Sequence, residues 1–430
     1  MRRYPLRSLM TPDSADAPYA ADPYAALRHR GFLIFLLGKV AADLGSQMQN
    51  TALGWELYEK TGRPLSLGYV GLAQIVPILV LAIPAGQVAD LLDRKRLLIA
   101  SQIVMALASV GLALVSWKGA PPQWAYACLV LSGVGRAFQQ PARASLLPSI
   151  VPPGLFTNAV TWNVTGFQLS MVLGPAAGGF LVARFADAKW VYLLDAAMAL
   201  LFATLVTTVR RTQAPRSFEL VSWRSFAAGL SFVHRTKVLL GALTLDMLAV
   251  LFGGAVALLP IYARDILLVG PTGMGWLRAA PSVGAIAMTY FLTHRPPLER
   301  AGRALLVSVA GFGLATIVFG LSRSFWLSMA MLFLTGAFDM ISVVVRHTLV
   351  QTLTPDFMRG RVSAVNGLFI GVSNELGAYE SGLVADVWSP VVSAVSGGVG
   401  TLLVVFGVWR LWPEVARVGR LDRERAEHPE

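Results

Sequence analysis

The sequence predicts an all-α membrane protein of about twelve transmembrane helices, arranged as two six-helix bundles related by an approximate twofold axis. Three observations carry that expectation. Charged residues make up 14% of the 430 residues, against about 25% in soluble domains. The apolar residues come in long blocks separated by short basic clusters, where a soluble core would show short periodic runs. The second half of the chain also repeats the first at a constant offset of 203 residues.

About 20 apolar residues carry a helix across the hydrocarbon core. Measured that way, the spans fall at 31–57, 67–89, 97–117, 124–145, 159–183, 190–209, 238–262, 274–292, 304–321, 325–346, 362–387 and 391–412. The connections are short except for 210–237. That linker is basic, and Phe218, Val221, Trp223, Phe226, Leu230 and Val233 are spaced for an amphipathic helix lying on the membrane surface. The expected organisation is a tail at 1–30, a first bundle at 31–209, the linker, a second bundle at 238–412 and a tail at 413–430. The first 30 residues are polar and basic with no apolar core before a cleavage site, so the first span is expected to direct insertion.

The net charge of +12 does not point to nucleic acid, because the basic residues form no single patch with interleaved aromatics. Their distribution encodes topology instead. With the N-terminus cytoplasmic, Lys60, Arg63, Lys118, Arg184, Lys189, Arg264 and Arg323 fall outside, and Lys39, Arg136, Arg143, Arg278 and Arg346 fall in spans. The remaining 24 of the 36 basic residues are cytoplasmic. Both termini are therefore expected inside. The single cysteine, Cys128, allows no intramolecular disulfide.

The repeat aligns Arg143 with Arg346, Leu146 with Leu349, Pro152 with Pro355 and Asn163 with Asn366. Further on it aligns Ser170 with Ser373, Leu173 with Leu376, Gly174 with Gly377 and Gly179 with Gly382. Chance similarity of apolar helices would align Leu and Val, not Arg, Pro, Asn and Gly. A duplicated six-span unit is typical of transporters.

Taken in order, the spans carry polar groups that a bilayer tolerates only for a reason. In span one, Lys39, Asp43, Gln47 and Asn50 share one helical face that must look into protein or water. Glu56 falls at the outer rim. After span two comes Gly86, then Asp90, then Arg94-Lys95-Arg96. Gly86 permits close helix approach, Asp90 can meet an Arg or a helix N-terminus, and the basic cluster anchors the loop at the cytoplasmic face. Span four carries Arg136 and Gln139. Span five contains Gly174, Pro175, Gly178 and Gly179, a bend flanked by small residues that suits helices packing closely and rocking. Asp195, a turn into span six, reads as a helix-end residue. Asp246 lies deep in span seven, Arg278 in span eight and Asp339 in span ten, where it aligns with Arg136. Glu375 lies near the middle of span eleven, with Glu380 nearer the outside. A buried carboxylate can take up and release protons, which makes Glu375 and Asp339, then Asp43, the candidates for proton coupling. Structural ion pairing, Arg136 with Asp339 or Arg278 with Glu380, is the alternative role.

The loop after span two resembles the signature of the major facilitator superfamily, in which it latches the two halves. Leu91 stands where that pattern has Arg, Asp93 where it has Gly, and the second half keeps no good copy. The span-five element is similar to the superfamily's antiporter motif. The stretches 141–148, 359–366 and 373–377 resemble the enterobactin-exporter-like branch of bacterial efflux proteins. The resemblance covers about residues 30–415. It implies that spans one, four, seven and ten line a central cavity. Asp43, Gln47, Asn50, Arg136, Gln139, Asp246 and Asp339 would then line it, with Phe35, Phe138, Phe252 and Phe338 as apolar wall and Arg278 facing it from span eight. It also implies a multi-pass protein of the bacterial inner membrane that exports small hydrophobic or siderophore-like compounds against protons. An importer, a lipid flippase and a non-transporting receptor are the alternatives. The expected partners are a small-molecule substrate, protons and the lipid bilayer, and the chain is expected to act as a monomer. No phosphate-binding loop, histidine cluster or nucleophile arrangement suggests a cofactor, a metal or an enzyme.

Overall fold

In hydrocarbon every backbone polar group must be satisfied within its own segment, so uninterrupted helices are the available solution. The computed structural model describes residues 22–209, 223–296 and 298–419, apart from the side chains of Ile83, Asp90, Pro153, Trp223 and Arg224. Among these residues the regular structure is helical. The first half contains α1 (Arg30–Thr61), α2 (Leu65–Leu91), α3 (Arg94–Trp117), α4 (Pro122–Ile150), α5 (Phe156–Phe185) and α6 (Lys189–Thr208). A short α7 (Trp223–Arg235) leads into α8 (Lys237–Phe252) and the single-turn α9 (Leu259–Ile261). Then follow α10 (Gly270–Thr293), α11 (Ala301–Leu321), α12 (Phe325–Leu353), α13 (Arg359–Val387), α14 (Pro390–Leu411) and a short α15 (Pro413–Arg417). With α8 and α9 counted as one rod running to Ile266, the described residues form the twelve rods expected.

Nine of the twelve are long and apolar enough to cross a membrane on those two properties alone. The other three, α4, α10 and α13, are richer in polar residues and hold Arg136, Arg278 and Glu375.

The contacts reproduce the duplication. In the first half α1 packs on α5 and α6, α3 on α4 and α6, and α2 on α4. In the second half α8 packs on α13 and α14, α11 on α12 and α14, and α10 on α12. These are the same pairs shifted by one six-helix unit. The main contacts between halves, α2 with α13 and α5 with α10, also exchange under that shift, as an approximate twofold axis requires.

Successive rods alternate in direction, so the start of the first rod and the end of the twelfth share one end of the molecule, the termini end, and the other is the far end. The cores differ between them. One cluster, including Met48, Leu53, Tyr192, Leu258, Tyr262, Phe319 and Ala385, draws on both halves. Two others belong to one half each: one is built on Phe32, Leu98, Leu146 and Phe202, the other on Leu239, Leu305, Val345 and Val362. The halves are therefore joined at the far end and keep separate cores toward the termini end.

The seventh rod departs from the continuous span expected at 238–262. It breaks after Phe252, runs as a 3-10 turn over Gly254–Leu258 and closes with a π turn over Tyr262–Ile266. The Gly253-Gly254 pair permits this, and close backbone contacts hold it. A Cβ on Gly254 would meet the Gly377 carbonyl at 2.5 Å, and one on Gly397 would strike the Phe252 carbonyl. Irregular backbone is tolerated at membrane depth where protein covers it, and Leu258 and Leu259 are fully buried.

The linker helix α7 lies against the start of α13 and beside α8. Val233 is buried and Phe226 packs on the second-half core, so these two residues of the apolar face expected to meet lipid meet protein, while Leu230 is exposed. Phe218 and Val221 lie outside the described residues.

Candidate functional site

The intramembrane charges sort into three groups. The first consists of paired ions within each half. Asp43 of α1 accepts from Lys39 Nζ at 2.8 Å and from Arg143 of α4 at 2.8 Å. In the second half Asp246 of α8 is ion-paired with Arg346 of α12. Asp43 with Asp246 and Arg143 with Arg346 are equivalent under the 203-residue repeat, so one ion pair has been duplicated with the bundle. Burying such a pair is tolerated only when each charge keeps its partner. Asp246, expected to line the cavity, is thereby engaged inside its own bundle.

The second group is a packing network. Asp195 is buried within α6 and accepts from Gln49 Nε2 at 2.9 Å and Ser109 Oγ at 2.6 Å. It joins α1, α3 and α6, and Gly45 leaves room for it. The expectation of a helix-end residue fails, because its partners stand on two other helices that cover this turn of α6. Glu56 is at the rim, where it accepts from Ser116, Tyr192 and Lys60, each at 2.6 Å.

The third group lies between the halves. Arg136 donates to Gln74 Oε1 of α2 at 2.5 Å and to Ser46 Oγ of α1 at 3.1 Å. Glu375 of α13 sits within electrostatic reach of both Arg136 and Arg278. A Cβ on Gly71 of α2 would meet a Glu375 carboxylate oxygen at 2.9 Å, which places the carboxylate where α2 and α13 touch. The pairings considered from sequence do not form. Arg136 and Arg278 each feel the Glu375 charge, neither is ion-paired with Asp339 or Glu380 among the described residues, and Glu380 accepts from Ser381 Oγ at 3.4 Å. Equivalent positions in the two repeats need not meet when the halves are joined only at one end. Asp339 makes no ion pair or hydrogen bond among the described residues.

The uncharged candidates divide similarly. Gln47 donates to Met171 Sδ at 2.8 Å across the α1–α5 contact. Asn50 keeps a buried carbonyl oxygen without a partner. Gln139 is buried and makes no hydrogen bond among the described residues. Asn163 and Asn366, another repeat-related pair, also keep buried oxygens unpartnered.

The small-residue element of α5 serves two interfaces. A Cβ on Gly174 would strike Gln47, and one on Gly178 would lie 2.8 Å from the Met48 backbone; both fit α5 against α1. Gly179 turns to the other half and lies against Pro271 and Gly275 of α10, while Gly275 in turn faces the Pro175 carbonyl at 2.5 Å. On the other cross-half contact a Cβ on Gly382 would lie 3.0 Å from the Gly68 backbone. Nearer the termini end, Gly371, Gly367 and Gly360 of α13 have nothing within 4 Å of a built Cβ.

The loop after α2 is a capping device in this structure. Asp93 is the N-cap of α3, accepting from the Lys95 and Arg96 amides at 2.9 and 3.0 Å. Lys95 Nζ donates to the Thr207 and Val209 carbonyls at 2.7 and 2.9 Å, which satisfies the end of α6 with a cation where the helix dipole favours one. Arg94 donates to the Ser145 carbonyl at 3.4 Å. Gly86 lies within the last turns of α2, and the Asp90 side chain is outside the described part of the structure.

Nothing in the sequence predicts the far-end latch between the halves. Arg63 pairs with Asp386 at 2.8 Å, and the Leu65 amide donates to the same carboxylate. Tyr58 donates a short hydrogen bond to Asp265, and Arg264 donates to the Tyr58 carbonyl at 3.4 Å. These partners are far apart in sequence, so only the folded halves bring them together.

Comparison with known proteins agrees with this architecture. The profile of a family described as transmembrane secretion effector matches residues 21–426. The chain is 26% identical over 370 residues to the multidrug efflux pump Tap of Mycolicibacterium fortuitum, covering 82% of this chain and 89% of that protein. It is 27% identical over 347 residues to the enterobactin exporter EntS of Escherichia coli O1:K1 / APEC, covering 79% and 80%. Among solved structures, a bacterial homolog of the human lysosomal transporter Spinster, inward-facing and occupied, superposes with a TM-score of 0.68 at 16% identity over 92% of this chain and 98% of that one. A bacterial homologue of the iron transporter ferroportin, inward-facing, gives 0.68 at 17% identity over 88% and 98%.

Proposed function

Starting from the premise that the chain belongs to the transmembrane secretion effector family of the major facilitator superfamily, we propose that it is a proton-coupled exporter of small, largely apolar compounds. Membership and the two-bundle fold support a transporter of the multi-pass membrane class.

The observation that carries this reading is the position of Glu375, on the second half and facing Arg136 of the first half and Arg278 of its own. Opposite charges attract strongly where water is sparse. A deprotonated Glu375 holds the two arginines across the junction of the halves. Protonation removes that shared counter-charge, leaves two cations to repel, and shifts the balance between the far-end-closed arrangement and its opposite. Substrate and proton then compete for the same junction, as exchange requires. Asp339, without a partner among the described residues, is the second proton-carrying candidate. Asp43, held by Lys39 and Arg143, ranks third.

In this reading the termini end faces the cytoplasm of a bacterial inner membrane, as the basic-residue distribution favours. The structure then corresponds to a state open toward the cytoplasm. Gln139 and Asn50, with unused hydrogen-bonding capacity, line the substrate path. The efflux activities named for the two relatives favour export over import.

The test is transport of a fluorescent hydrophobic dye in proteoliposomes under an imposed pH gradient, with orientation determined. The parent should move dye against its gradient, and Glu375→Gln should reduce that to the leak rate while retaining dye counterflow without a gradient. Gradient-driven transport at the parent's rate in Glu375→Gln would remove this residue from the coupling mechanism.

A further inference from the structure

At the termini end of the second bundle the chain turns back after α14. The Ala301 and Gly302 amides, the first of α11, donate to the Gly419 and Val418 carbonyls at 3.3 and 3.2 Å. Val415 is fully buried beneath them. Helix N-terminal amides need such partners, so the two residues that follow α15 cap α11. Between α11, α14 and α15 lies a recess of about 720 Å³ lined by Arg303, Leu306, Val307, Trp409, Arg410 and Arg417, among others.

No carboxylate lines this recess among the described residues. Arg303, Arg410 and Arg417 make no ion pair among the described residues, and the neighbouring Glu414, which also feels the Arg417 charge, is engaged by Lys237 at 3.3 Å. Arg410 lies over the Trp409 ring at 5.9 Å. The corresponding end of the first bundle is built differently, because Lys95 there is bound to the α6 carbonyls. Above the arginines the surface becomes apolar and exposed: Val307 of α11 and Leu403 and Phe406 of α14 are 58–68% exposed. A cluster of cations without an ion pair among the described residues, joined to an exposed apolar wall with an indole at the boundary, matches a molecule with an anionic head and hydrocarbon tails.

We propose that this recess binds the phosphate headgroup of an anionic phospholipid, with the acyl chains along α11 and α14. The guanidinium fork matches phosphate oxygens in a way an ammonium does not. The lipid fastens α15, and through it the start of α11, to the termini-end leaflet. A soluble phosphate would use the arginines but leave the apolar wall uncovered, so the lipid is the better-matched occupant.

Native mass spectrometry of the full chain in detergent, titrated with phosphatidylglycerol, phosphatidylcholine or inorganic phosphate, tests this. Phosphatidylglycerol adducts should persist at collision energies that strip phosphatidylcholine. The combined variant Arg303→Gln, Arg410→Gln, Arg417→Gln should lose that preference by roughly tenfold, and the matching Arg→Lys triple should keep part of it. A control replacing Arg30, Arg235 and Arg295, exposed arginines of the same end outside the recess, should bind as the parent does. Equal retention of the two lipids by the parent, or equal loss in the control, overturns the proposal. Displacement of phosphatidylglycerol by millimolar inorganic phosphate overturns it too, by reassigning the recess to a soluble anion.

Discussion

Neutralising one member of the Asp246–Arg346 pair should be among the most damaging single changes in the second bundle. Both side chains are buried, with 7% and 3% exposure. Asp246→Asn leaves a guanidinium without its counter-ion, and Arg346→Gln leaves a carboxylate in the same state. Removing one partner of a buried pair costs about 3–5 kcal/mol. For a unit the size of one bundle each kcal/mol lowers the midpoint by about 2–4 °C, so each variant should melt ~6–20 °C below the parent. Replacing both by apolar residues of similar size, Asp246→Leu with Arg346→Met, removes the buried charges together and should recover most of the loss. The sole cysteine supplies the assay. Cys128 is partly buried in α4, so a thiol-reactive fluorophore reports unfolding without an engineered label. Single variants melting within ~2 °C of the parent, or a double variant melting below both singles, would refute the argument that the charges need each other. Because the repeat places Asp43 and Arg143 at the equivalent positions, Asp43→Asn should behave alike and strand two cations in place of one.

Two further outcomes concern the junction of the halves. Gly382→Leu puts a side chain where the Gly68 backbone lies at 3.0 Å, so it should force α2 and α13 apart and lengthen spin-label distances across the far end by several ångströms; unchanged distances would show that this contact does not set the closed arrangement. Tyr58→Phe combined with Arg63→Gln removes two cross-half bonds. In a Cys128→Ser background, a cysteine at Ala378 should then label several-fold faster, and an unchanged rate would mean that the latch does not hold the far end shut.

The spans are legible in the sequence because hydrocarbon imposes a length and a composition, and all twelve rods fall where the apolar blocks place them. The repeat is legible through Arg143, Pro152, Asn163 and Gly174, residues too specific to align by chance. The same offset also joins Asp43 to Asp246, and with Arg143 and Arg346 already aligned it contains the duplicated ion pair. Weighing each charge by its depth alone overlooks that pair, although the sequence holds it. Other features have no local signal. Arg63 with Asp386 and Tyr58 with Asp265 pair across the halves, and nothing in either segment distinguishes them from ordinary loop charges. The break in the seventh rod is marked locally by Gly253-Gly254, yet what stabilises it is cover from α13 and α14. Asp195 looks peripheral in sequence because its partners, Gln49 and Ser109, sit on two other helices.

The three rods that are long enough but not apolar enough are themselves informative. A helix that meets lipid over most of its surface tolerates few polar residues, whereas one facing a junction is released from that requirement and inserts less favourably on its own. The helices α4, α10 and α13 contribute Arg136, Arg278 and Glu375, the charges that face one another where the halves meet. Under the repeat α4 is equivalent to α12 and α5 to α13, so the three polar-rich rods are not a symmetric set. The Asp43–Arg143 and Asp246–Arg346 pairs recur in both bundles, as a need shared by both bundles would. The central carboxylate and its two arginines do not recur: Glu375 aligns with Val172, Arg278 with Ile75, and Arg136 with the oppositely charged Asp339. Duplicated charges therefore fit the stability of each bundle, and the unduplicated charges at the junction are where the proposed coupling of substrate and proton is placed.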